Sequence, residues 1–314
     1  ATCATIGKMT VPELTRRGYP PEKIVGSLGG ASTLGLLIPP SIIMIVYGVA
    51  AEVSIAKLFV AGMIPGLMLA GLFSGYLMVW SLLNPDKIPQ ADPGMSFTDK
   101  LRASSELIPV VLLIGGVIGS IYVGVATATE AAAIGVVGSL VLSAYQKSLN
   151  WQNFKDALLG ATRLYCMMAL ILAGAAFLTL SMGYIGLPRH LAEWVGSLGL
   201  SPGLLLIALA LFFILLGCFL DGISMIVLTM GVLIPTVQAA GIDLIWFGIF
   251  VVIVVEMAQI TPPVGFNLFV LQGMTKREIN WIASVCMPYF FLMVLAVCLL
   301  WWFPQIVMWL PGRM

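Results

Sequence analysis

Charged residues are scarce in this chain of 314 residues, of which 9% are charged and 60% are hydrophobic. So few charges cannot cover the surface of a soluble domain, which excludes an ordinary soluble globular protein. The net charge is +1 and no stretch forms a basic patch. The net charge says nothing about partners, but the lack of a basic patch argues against a nucleic-acid partner.

Metal-binding and catalytic patterns are also missing. Histidine occurs once, at His190, and one histidine cannot build a zinc site. The five cysteines lack metal or redox spacing, and most lie in apolar runs, as small buried side chains do. No paired Asp motif, HExxH motif or Ser–Lys or Ser–His pairing is present, so the sequence predicts no catalytic residue and no enzyme. The chain also opens on Ala1 without an initiator methionine or signal peptide, which we interpret as an N-terminally truncated fragment.

Long uncharged runs recur along the whole length, and the mean hydropathy is +1.07. The runs are Ile24–Ala51, Leu58–Pro85, Leu107–Thr129, Leu164–Pro188, Val195–Leu220 and Ala283–Gln305. Each is long enough to cross about 30 Å of hydrocarbon as a helix, which takes roughly 20 residues. The sequence therefore predicts an all-α polytopic membrane protein surrounded by membrane lipids.

The positive charges predict the orientation of the spans. Of the 15 Lys and Arg residues, 12 fall in four loops: Lys8, Arg16, Arg17 and Lys23; Lys87, Lys100 and Arg102; Lys147, Lys155 and Arg163; Lys276 and Arg277. The positive-inside rule makes these loops cytoplasmic, and the number of spans then places the C-terminus outside. The segment from Pro202 to about Ala239 must enter from outside and return. A re-entrant hairpin turning near Asp221 and Gly222 satisfies this requirement, and so does a pair of full spans.

An internal repeat appears when the sequence is aligned with itself, without gaps, so that Pro39 falls on Pro262 and Pro40 on Pro263. In this superposition, called the repeat alignment below, Pro12 also falls on Pro235 and Gly18 on Gly241. Prolines and glycines dictate backbone shape, so these coincidences indicate similar local structure. The loop of the first copy carries positive charges, whereas the loop 238–244 of the second carries none. Like-shaped units of opposite orientation form an inverted repeat, which is typical of secondary transporters.

The double prolines predict a broken helix in each copy, because proline lacks an N–H group and displaces the carbonyl one turn earlier. Broken backbone at membrane depth is tolerated where it is buried in protein or lines a polar cavity. Its free carbonyl oxygens suit a hard cation such as Na⁺, and the N–H groups that start the second half-helix suit a carboxylate. A plain kink filled by neighbouring helices is the alternative.

Three carboxylates lie inside apolar runs, at Glu130, Asp221 and Glu256, and each needs a partner or a task there. Asp221 is predicted at the hairpin tip. Glu256 precedes the second double proline and is interpreted as a structural or coupling group. Glu130 has capping-box spacing from Thr127, which favours a structural role. No Lys or Arg is placed at mid-membrane, so an anionic substrate would be held by half-helix N-termini, by Ser41, Thr229 and Asn267, or by bound cations.

Several stretches, in order, resemble the large membrane subunit of tripartite ATP-independent periplasmic (TRAP) transporters, within the ion-transporter superfamily. They are IGKMTVPELTRRGYPPEKI, LGLLIPPSIIMIVYG, TATEAAA, FLDGISMIVLT, GIDLIWFG and EMAQITPPVGFNLFV. The resemblance covers essentially the whole chain. Ala128 stands where the family more often has proline.

The resemblance implies an elevator transporter that moves an organic anion, such as a sialic acid or a C4-dicarboxylate, across the bacterial inner membrane with Na⁺. It implies two partners, a periplasmic substrate-binding protein and a small four-helix membrane subunit. Carried over by position, one sodium site uses Gly35, Ile38 and Pro40 with a hairpin tip that precedes Ala1. The other uses Ala258, Thr261 and Pro263 with Asp221 and Gly222.

The predicted domains follow the repeat. Residues 1–50 form the first part of the transport domain, 51–200 form scaffold spans and connecting amphipathic segments, 201–275 form the second part of the transport domain, and 276–314 hold the C-terminal span. The alternative functions are a stand-alone carboxylate symporter without a binding protein, an intramembrane enzyme and a channel. Inverted repeats with hairpins favour alternating access over a channel.

Overall fold

The computed structural model describes residues 2–89, 99, 104–217, 219–262 and 265–314. Within this part of the chain every regular element is helical. The α-helices are α1 Thr2–Arg16, α2 Pro21–Leu37, α3 Ile42–Ala50, α4 Ile55–Leu83, α5 Ile108–Tyr122, α6 Ala128–Tyr145, α7 Trp151–Ile185, α8 Leu187–Ser197, α9 Pro202–Leu216, α10 Gly222–Ala239, α11 Leu244–Gln259, α12 Phe266–Thr275, α13 Ile279–Trp302 and α14 Gln305–Met308. Short 3₁₀ helices cover Pro85–Lys87, Ser104–Leu107 and Pro311–Arg313.

The described helices include five that are long and apolar enough to cross a membrane, or six if α2 and α3 count as one bent span. These two helices meet at 44° across a short interruption. The all-α polytopic membrane fold predicted from the hydrophobic runs is therefore confirmed. The helix α9 has 15 residues and extends for about 22 Å, shorter than the roughly 30 Å of a hydrocarbon core.

Two compact units make up the chain. The first contains α1–α4, the end of α7 from Phe177, and α8–α14, and the second contains α5, α6 and most of α7. In the second unit α5 packs on α6, where Leu113 lies against Gly138. The transport and scaffold domains predicted from the sequence are defined by movement, so their boundaries stay a prediction.

The core of the first unit is built around α11, which is buried from Trp246 to Ala258 without interruption. Helices α2, α3, α4, α9, α10 and α13 all pack against it. A helix that is hydrophobic on every side is stable only when protein or lipid covers it on every side. The apolar sequence of α11 therefore makes it the central helix of this unit.

The two copies of the repeat fold alike. In the repeat alignment Arg16, where α1 ends, falls on Ala239, where α10 ends. Pro21, where α2 begins, falls on Leu244, where α11 begins. In both turns a glycine adopts a left-handed backbone, with φ of 81° at Gly18 and 73° at Gly241. Such a backbone conformation is natural for glycine and costly for other residues. The predicted correspondence of the two turns is confirmed.

The correspondence also extends beyond the stretch found in the sequence. Pro65 lies inside α4 and Pro288 lies inside α13, and the repeat alignment places one on the other. Each copy thus comprises four helices, α1–α4 and α10–α13. The opposite orientation of the copies in the membrane stays a prediction.

Candidate functional site

The turn between α9 and α10, called the hairpin tip below, lies against both broken helices. The helix α9 packs on α11, and α10 packs on α3, α8 and α11, so the re-entrant hairpin of α9 and α10 stays a prediction. A Cβ atom placed on Gly222 would lie 2.7 Å from Val255 Cγ1, 2.8 Å from Ile43 Cδ1 and 3.1 Å from Gln259 Nε2. On the other side of the tip, Gly217 contacts Ala258. Glycine is needed where backbone approaches this closely. The hairpin tip, the start of α3 and the end of α11 therefore meet at one place, which is the candidate site.

Asp221 caps the helix that starts at the hairpin tip. Its Oδ2 accepts hydrogen bonds from Ile223 N at 3.1 Å and Ser224 N at 3.4 Å, and its Oδ1 accepts from the Ser224 hydroxyl. A carboxylate at an N-cap satisfies free N–H groups and is stabilised by the helix dipole. The side chain is exposed, so its remaining lone pairs are available to a ligand.

Main-chain oxygens lie close to Gly265, the described residue directly before α12. A Cβ atom on Gly265 would lie 2.5 Å from Gln259 O and 2.9 Å from Thr261 O. The Thr261 hydroxyl donates to Met257 O at 2.6 Å, and Gly265 N donates to Thr261 O at 3.1 Å. The donor set is made of oxygen atoms, the ligand type that hard cations prefer. Pro263, the remaining predicted ligand of this sodium site, lies outside the described residues.

The first break, residues 38–41, is supported by α4. A Cβ atom on Gly62 would lie 2.8 Å from Leu37 O, and one on Gly66 would lie 2.7 Å from Ile38 Cγ1. The peptide bond between Pro39 and Pro40 is cis.

The residues predicted for the first sodium site share one environment. Gly35, Ile38 and Pro40 are all exposed, whereas Leu37 and Pro39 between them are buried. These three positions are therefore accessible from outside the protein core.

The three residues predicted to hold the substrate are all buried, and no described contact joins them. Ser41 is 1%, Thr229 8% and Asn267 7% exposed. The Ser41 hydroxyl donates to Leu36 O, and the Thr229 hydroxyl donates to Met225 O at 2.7 Å. The carboxamide of Asn267 makes no hydrogen bond with any described residue. Of the three, the hydroxyls of Ser41 and Thr229 have already donated their protons to main-chain carbonyls.

The two other predicted carboxylates have contrasting surroundings. Glu256 is 0% exposed, and neither carboxylate oxygen has a hydrogen-bond partner in the described structure. Glu130 instead closes a capping box at the start of α6: its Oε2 accepts from Thr127 N at 2.8 Å, and its own N–H donates to Thr127 Oγ1 at 3.3 Å. The capping box predicted from the spacing of these residues is confirmed.

Two features of the site were missed by the sequence reasoning. Gln259 extends its carboxamide toward the hairpin tip, and the Tyr47 hydroxyl donates to Leu244 O at 2.7 Å, joining the first copy to the start of α11. The glycine pair Gly62 and Gly66, which flanks Pro65 on one helix face, was a sequence signal for close helix packing. Among the described residues, no group of three or more His, Cys, Asp or Glu side chains forms a metal site.

Comparison with known proteins gives a consistent result. Residues 1–306 match the family described as "Tripartite ATP-independent periplasmic transporter, DctM component". The chain is 31% identical to the C4-dicarboxylate TRAP transporter large permease protein DctM of Pseudomonas aeruginosa, over 99% of this chain and 73% of that protein. It is 33% identical to the ectoine/5-hydroxyectoine TRAP transporter large permease protein UehC of Ruegeria pomeroyi, over 99% of this chain and 72% of that protein. It is 29% identical to the isethionate TRAP transporter permease protein DctMQ of Oleidesulfovibrio alaskensis, over 99% of this chain and 49% of that protein.

Proposed function

The chain belongs to the DctM-component family, the large permease subunits of TRAP transporters, and from this premise we propose sodium-coupled uptake of a small organic anion across the bacterial inner membrane. The observation that supports this most directly is the meeting of the hairpin tip with both broken helices. Transporters of this architecture bind substrate and coupling ions where broken helices meet. Movement of these elements as one body would give elevator-type alternating access.

In this proposal Na⁺ is carried together with the anion and is bound mainly by main-chain oxygens. One site uses Ala258 and Thr261 with the hairpin tip at Asp221 and Gly222. Its support is the cluster of carbonyl oxygens beside Gly265 and the contact of Gly217 with Ala258. The other site uses Gly35, Ile38 and Pro40, which are all exposed at the first break.

The anion would be held at the half-helix N-termini by Ser41, Thr229 and Asn267. Among the described residues, the only buried charged side chain is that of Glu256. No buried Lys or Arg of the described chain is therefore available to neutralise a substrate carboxylate, which leaves helix N-termini, neutral donors and the co-transported cations.

The partners proposed for this chain are a small four-helix membrane subunit and a periplasmic binding protein that delivers the anion. The names of the relatives assign different substrates to similar chains: C4-dicarboxylate, ectoine or isethionate. A stand-alone symporter is the alternative, and purification of the chain from its native membrane distinguishes the two. A small membrane subunit that co-purifies with the chain supports the tripartite form, whereas a chain that purifies alone and transports alone supports the symporter.

Uptake into proteoliposomes tests the coupling. The chain is reconstituted with its small subunit, the loaded binding protein is supplied outside, and an inward Na⁺ gradient is compared with an equal K⁺ gradient. We expect uptake under the Na⁺ gradient only, and weaker dependence on Na⁺ for Thr261→Ala with unchanged expression. Equal uptake under both gradients would refute sodium coupling. Unaltered Na⁺ dependence in the variant would remove Thr261 from the site.

A further inference from the structure

An open pocket with a volume of about 460 Å³ lies where α12 ends and α13 begins. This volume is in the range of about 300–1,000 Å³ that small-molecule sites occupy. The residues that line the pocket are Phe269, Gln272, Gly273, Lys276, Arg277 and Glu278. None of these residues belongs to the proposed sodium or substrate sites, so the pocket is available for a different ligand.

One wall of the pocket is a single face of α12 and its C-cap. This face is formed by residues at positions i, i+3, i+4 and i+7, which lie side by side on a helix: Phe269, Gln272, Gly273 and Lys276. Met274 is on another side of α12, where it contacts Gly7 of α1. A Cβ atom on Gly273 would meet no atom within 4 Å. The pocket face is therefore open, while other faces of the same helix are packed.

Two adjacent cations, Lys276 and Arg277, lie in the pocket, and both are exposed. The guanidinium carbon of Arg277 is 5.2 Å from the ring centre of Trp281, a cation–π contact that favours one position of the side chain. Glu278 also lines the pocket. Among the described residues, however, neither cation forms an ion pair with this or any other carboxylate. The pocket therefore has two positive charges and one negative charge, which favours an anionic ligand.

The backbone of Lys276 is left-handed, with φ of 57°, at the C-cap of α12. Glycine usually occupies such a position at a helix end, because a Cβ atom makes this conformation costly. A lysine therefore strains the backbone here in a way that glycine would not. Strain of this kind points to a function of the side chain, and the ammonium group of Lys276 lies in the pocket.

Aromatic residues indicate that the pocket lies at the membrane surface. Trp281 is in the first turn of α13, a helix long and apolar enough to cross the membrane, and tryptophan is enriched at the level of the lipid headgroups. Phe269 is 44% exposed and precedes Lys276 by two helical turns, about 10 Å. Exposed apolar surface therefore adjoins the two cations. The positive-inside prediction assigns this end of α12 to the cytoplasmic side, where basic pockets bind anionic lipid headgroups.

We propose that this pocket binds the phosphate group of an anionic phospholipid, with Lys276 and Arg277 at the phosphate oxygens and Phe269 against an acyl chain. Arginine can hold two phosphate oxygens at once, and lysine adds a point charge. The first N–H groups of α13 add donors beside them, because Glu278, the N-cap, makes no side-chain capping bond. The proposal depends only on the membrane location of the chain and on the pocket, and not on the transported anion or on Na⁺ coupling.

Short-chain lipids with identical acyl chains test the proposal. The full-length chain is purified in detergent with its small membrane subunit. Dihexanoyl phosphatidylglycerol, dihexanoyl phosphatidylcholine and inorganic phosphate are each titrated at low ionic strength while the thermal unfolding midpoint is recorded. We expect phosphatidylglycerol to raise the midpoint at concentrations about fivefold or more below those of phosphatidylcholine, and inorganic phosphate to have no effect. Each interfacial Lys or Arg adds about fivefold in affinity for an anionic lipid, so Lys276→Gly and Arg277→Gln should each raise the half-saturating phosphatidylglycerol concentration about fivefold.

Two controls separate lipid binding from folding and from general surface charge. Glycine is natural at a left-handed position, so Lys276→Gly should retain the wild-type midpoint without lipid. Arg313→Gln is the matched control for Arg277→Gln, because Arg313 also lies over a tryptophan, 4.3 Å from the ring centre of Trp309, and does not line the pocket. This variant should leave the phosphatidylglycerol titration unchanged.

Four results would overturn the proposal. Equal half-saturation by the two lipids, or unchanged titrations in both pocket variants, would show that the pocket does not bind an anionic headgroup. An equal loss in Arg313→Gln would show that surface charge in general attracts the lipid. A response to inorganic phosphate that weakens in the same two variants would assign the pocket to a soluble phosphate. None of these results bears on Na⁺-driven uptake, which the proteoliposome experiment decides separately.

Discussion

The two breaks occupy matched positions in the repeat and differ in the contacts of the described residues around them. Both follow a long apolar helix, both contain a proline pair in the sequence, and both occupy the same place in the repeat alignment, within copies that have matching turns. The first break is packed against glycines of α4, whereas the second leaves main-chain oxygens grouped around Gly265. Among the described residues, the first break is held mainly by packing contacts, while carbonyl oxygens lie close together at the second.

Matched positions of α2 and α11 show the same difference. Thr33 and Glu256 correspond in the repeat alignment, and both are fully buried. The Thr33 hydroxyl donates to Gly30 O at 2.7 Å, so it needs no further partner. The carboxylate of Glu256 has no partner in the described structure. Matched positions of the repeat therefore carry a hydrogen-bonded hydroxyl in one copy and a carboxylate without a described partner in the other.

The largest loss of transport is expected from a side chain added at the hairpin tip, which contacts both copies of the repeat. In Gly222→Val the new atoms meet Val255 and Ile43, which already lie within 2.8 Å of a Cβ position. Overpacking of this kind costs about 1–3 kcal/mol or more, and we expect Na⁺-driven uptake to be abolished. Gly71→Val, at a glycine with no atoms within 4 Å of the Cβ position, is the control and should retain uptake. Equal uptake by both variants would show that the hairpin does not press on the breaks.

The next largest effect, on the unfolding temperature, should come from exchanging the matched residues Thr33 and Glu256. Thr33→Glu places a second carboxylate without a partner in the core, and burial of such a group costs about 3 kcal/mol or more. Glu256→Thr should instead hydrogen bond to the preceding turn, as Thr33 does, and preserve or raise the unfolding temperature. Thermal unfolding of both variants in the same detergent measures the difference. A Thr33→Glu variant as stable as the wild type would contradict the contrast between the copies.

The helix breaks and the glycine turns that the two copies share could be predicted from the sequence. Proline and glycine act locally, through a missing N–H group or a left-handed backbone conformation, so the breaks and the turns at Gly18 and Gly241 were found without a structure. The capping box between Thr127 and Glu130 is also local and was found from its spacing.

The contacts between elements could not be predicted in this way. The meeting of Gly222 with Ile43 joins residues that are far apart along the chain, and only tertiary packing brings them together. The uncharged run Leu164–Pro188 also marked only part of α7, which begins earlier, at Trp151. Asn150 Oδ1 accepts a hydrogen bond from Asn153 N at 2.8 Å at that start. Hydropathy detects the apolar part of a helix that can lie in the membrane, and it misses the polar part of the same helix that continues beyond the membrane.

A smaller loss of stability should follow from removing the Tyr47 hydroxyl, which links the two copies. The buried hydroxyl of Tyr47 donates to Leu244 O at 2.7 Å, so Tyr47→Phe leaves that carbonyl without its partner and should cost about 1–2 kcal/mol. Tyr289→Phe is the matched control, because the buried Tyr289 hydroxyl has no partner in the described structure; its removal should be neutral or slightly stabilising. Equal losses of stability in chemical unfolding would show that the hydrogen bond does not hold the start of α11.

The smallest effect on stability is expected from the charged residues beside the turn at Gly18, the first of the two matched turns. The guanidinium groups of Arg16 and Arg17 lower the pKa of Glu13 to about 2, and Arg17 Nε lies 2.7 Å from Glu13 Oε1. A lowered pKa contributes stability above the unfolded-state value near 4.5, and this contribution is lost as the pH falls toward about 2. Glu13→Gln should therefore differ slightly from the wild type at pH 7, with a difference in unfolding temperature that shrinks below about pH 4.5. Gln238→Ala, at the uncharged second turn, should show no such pH dependence, and a constant difference between Glu13→Gln and the wild type across this range would mean that the ion pairs contribute nothing.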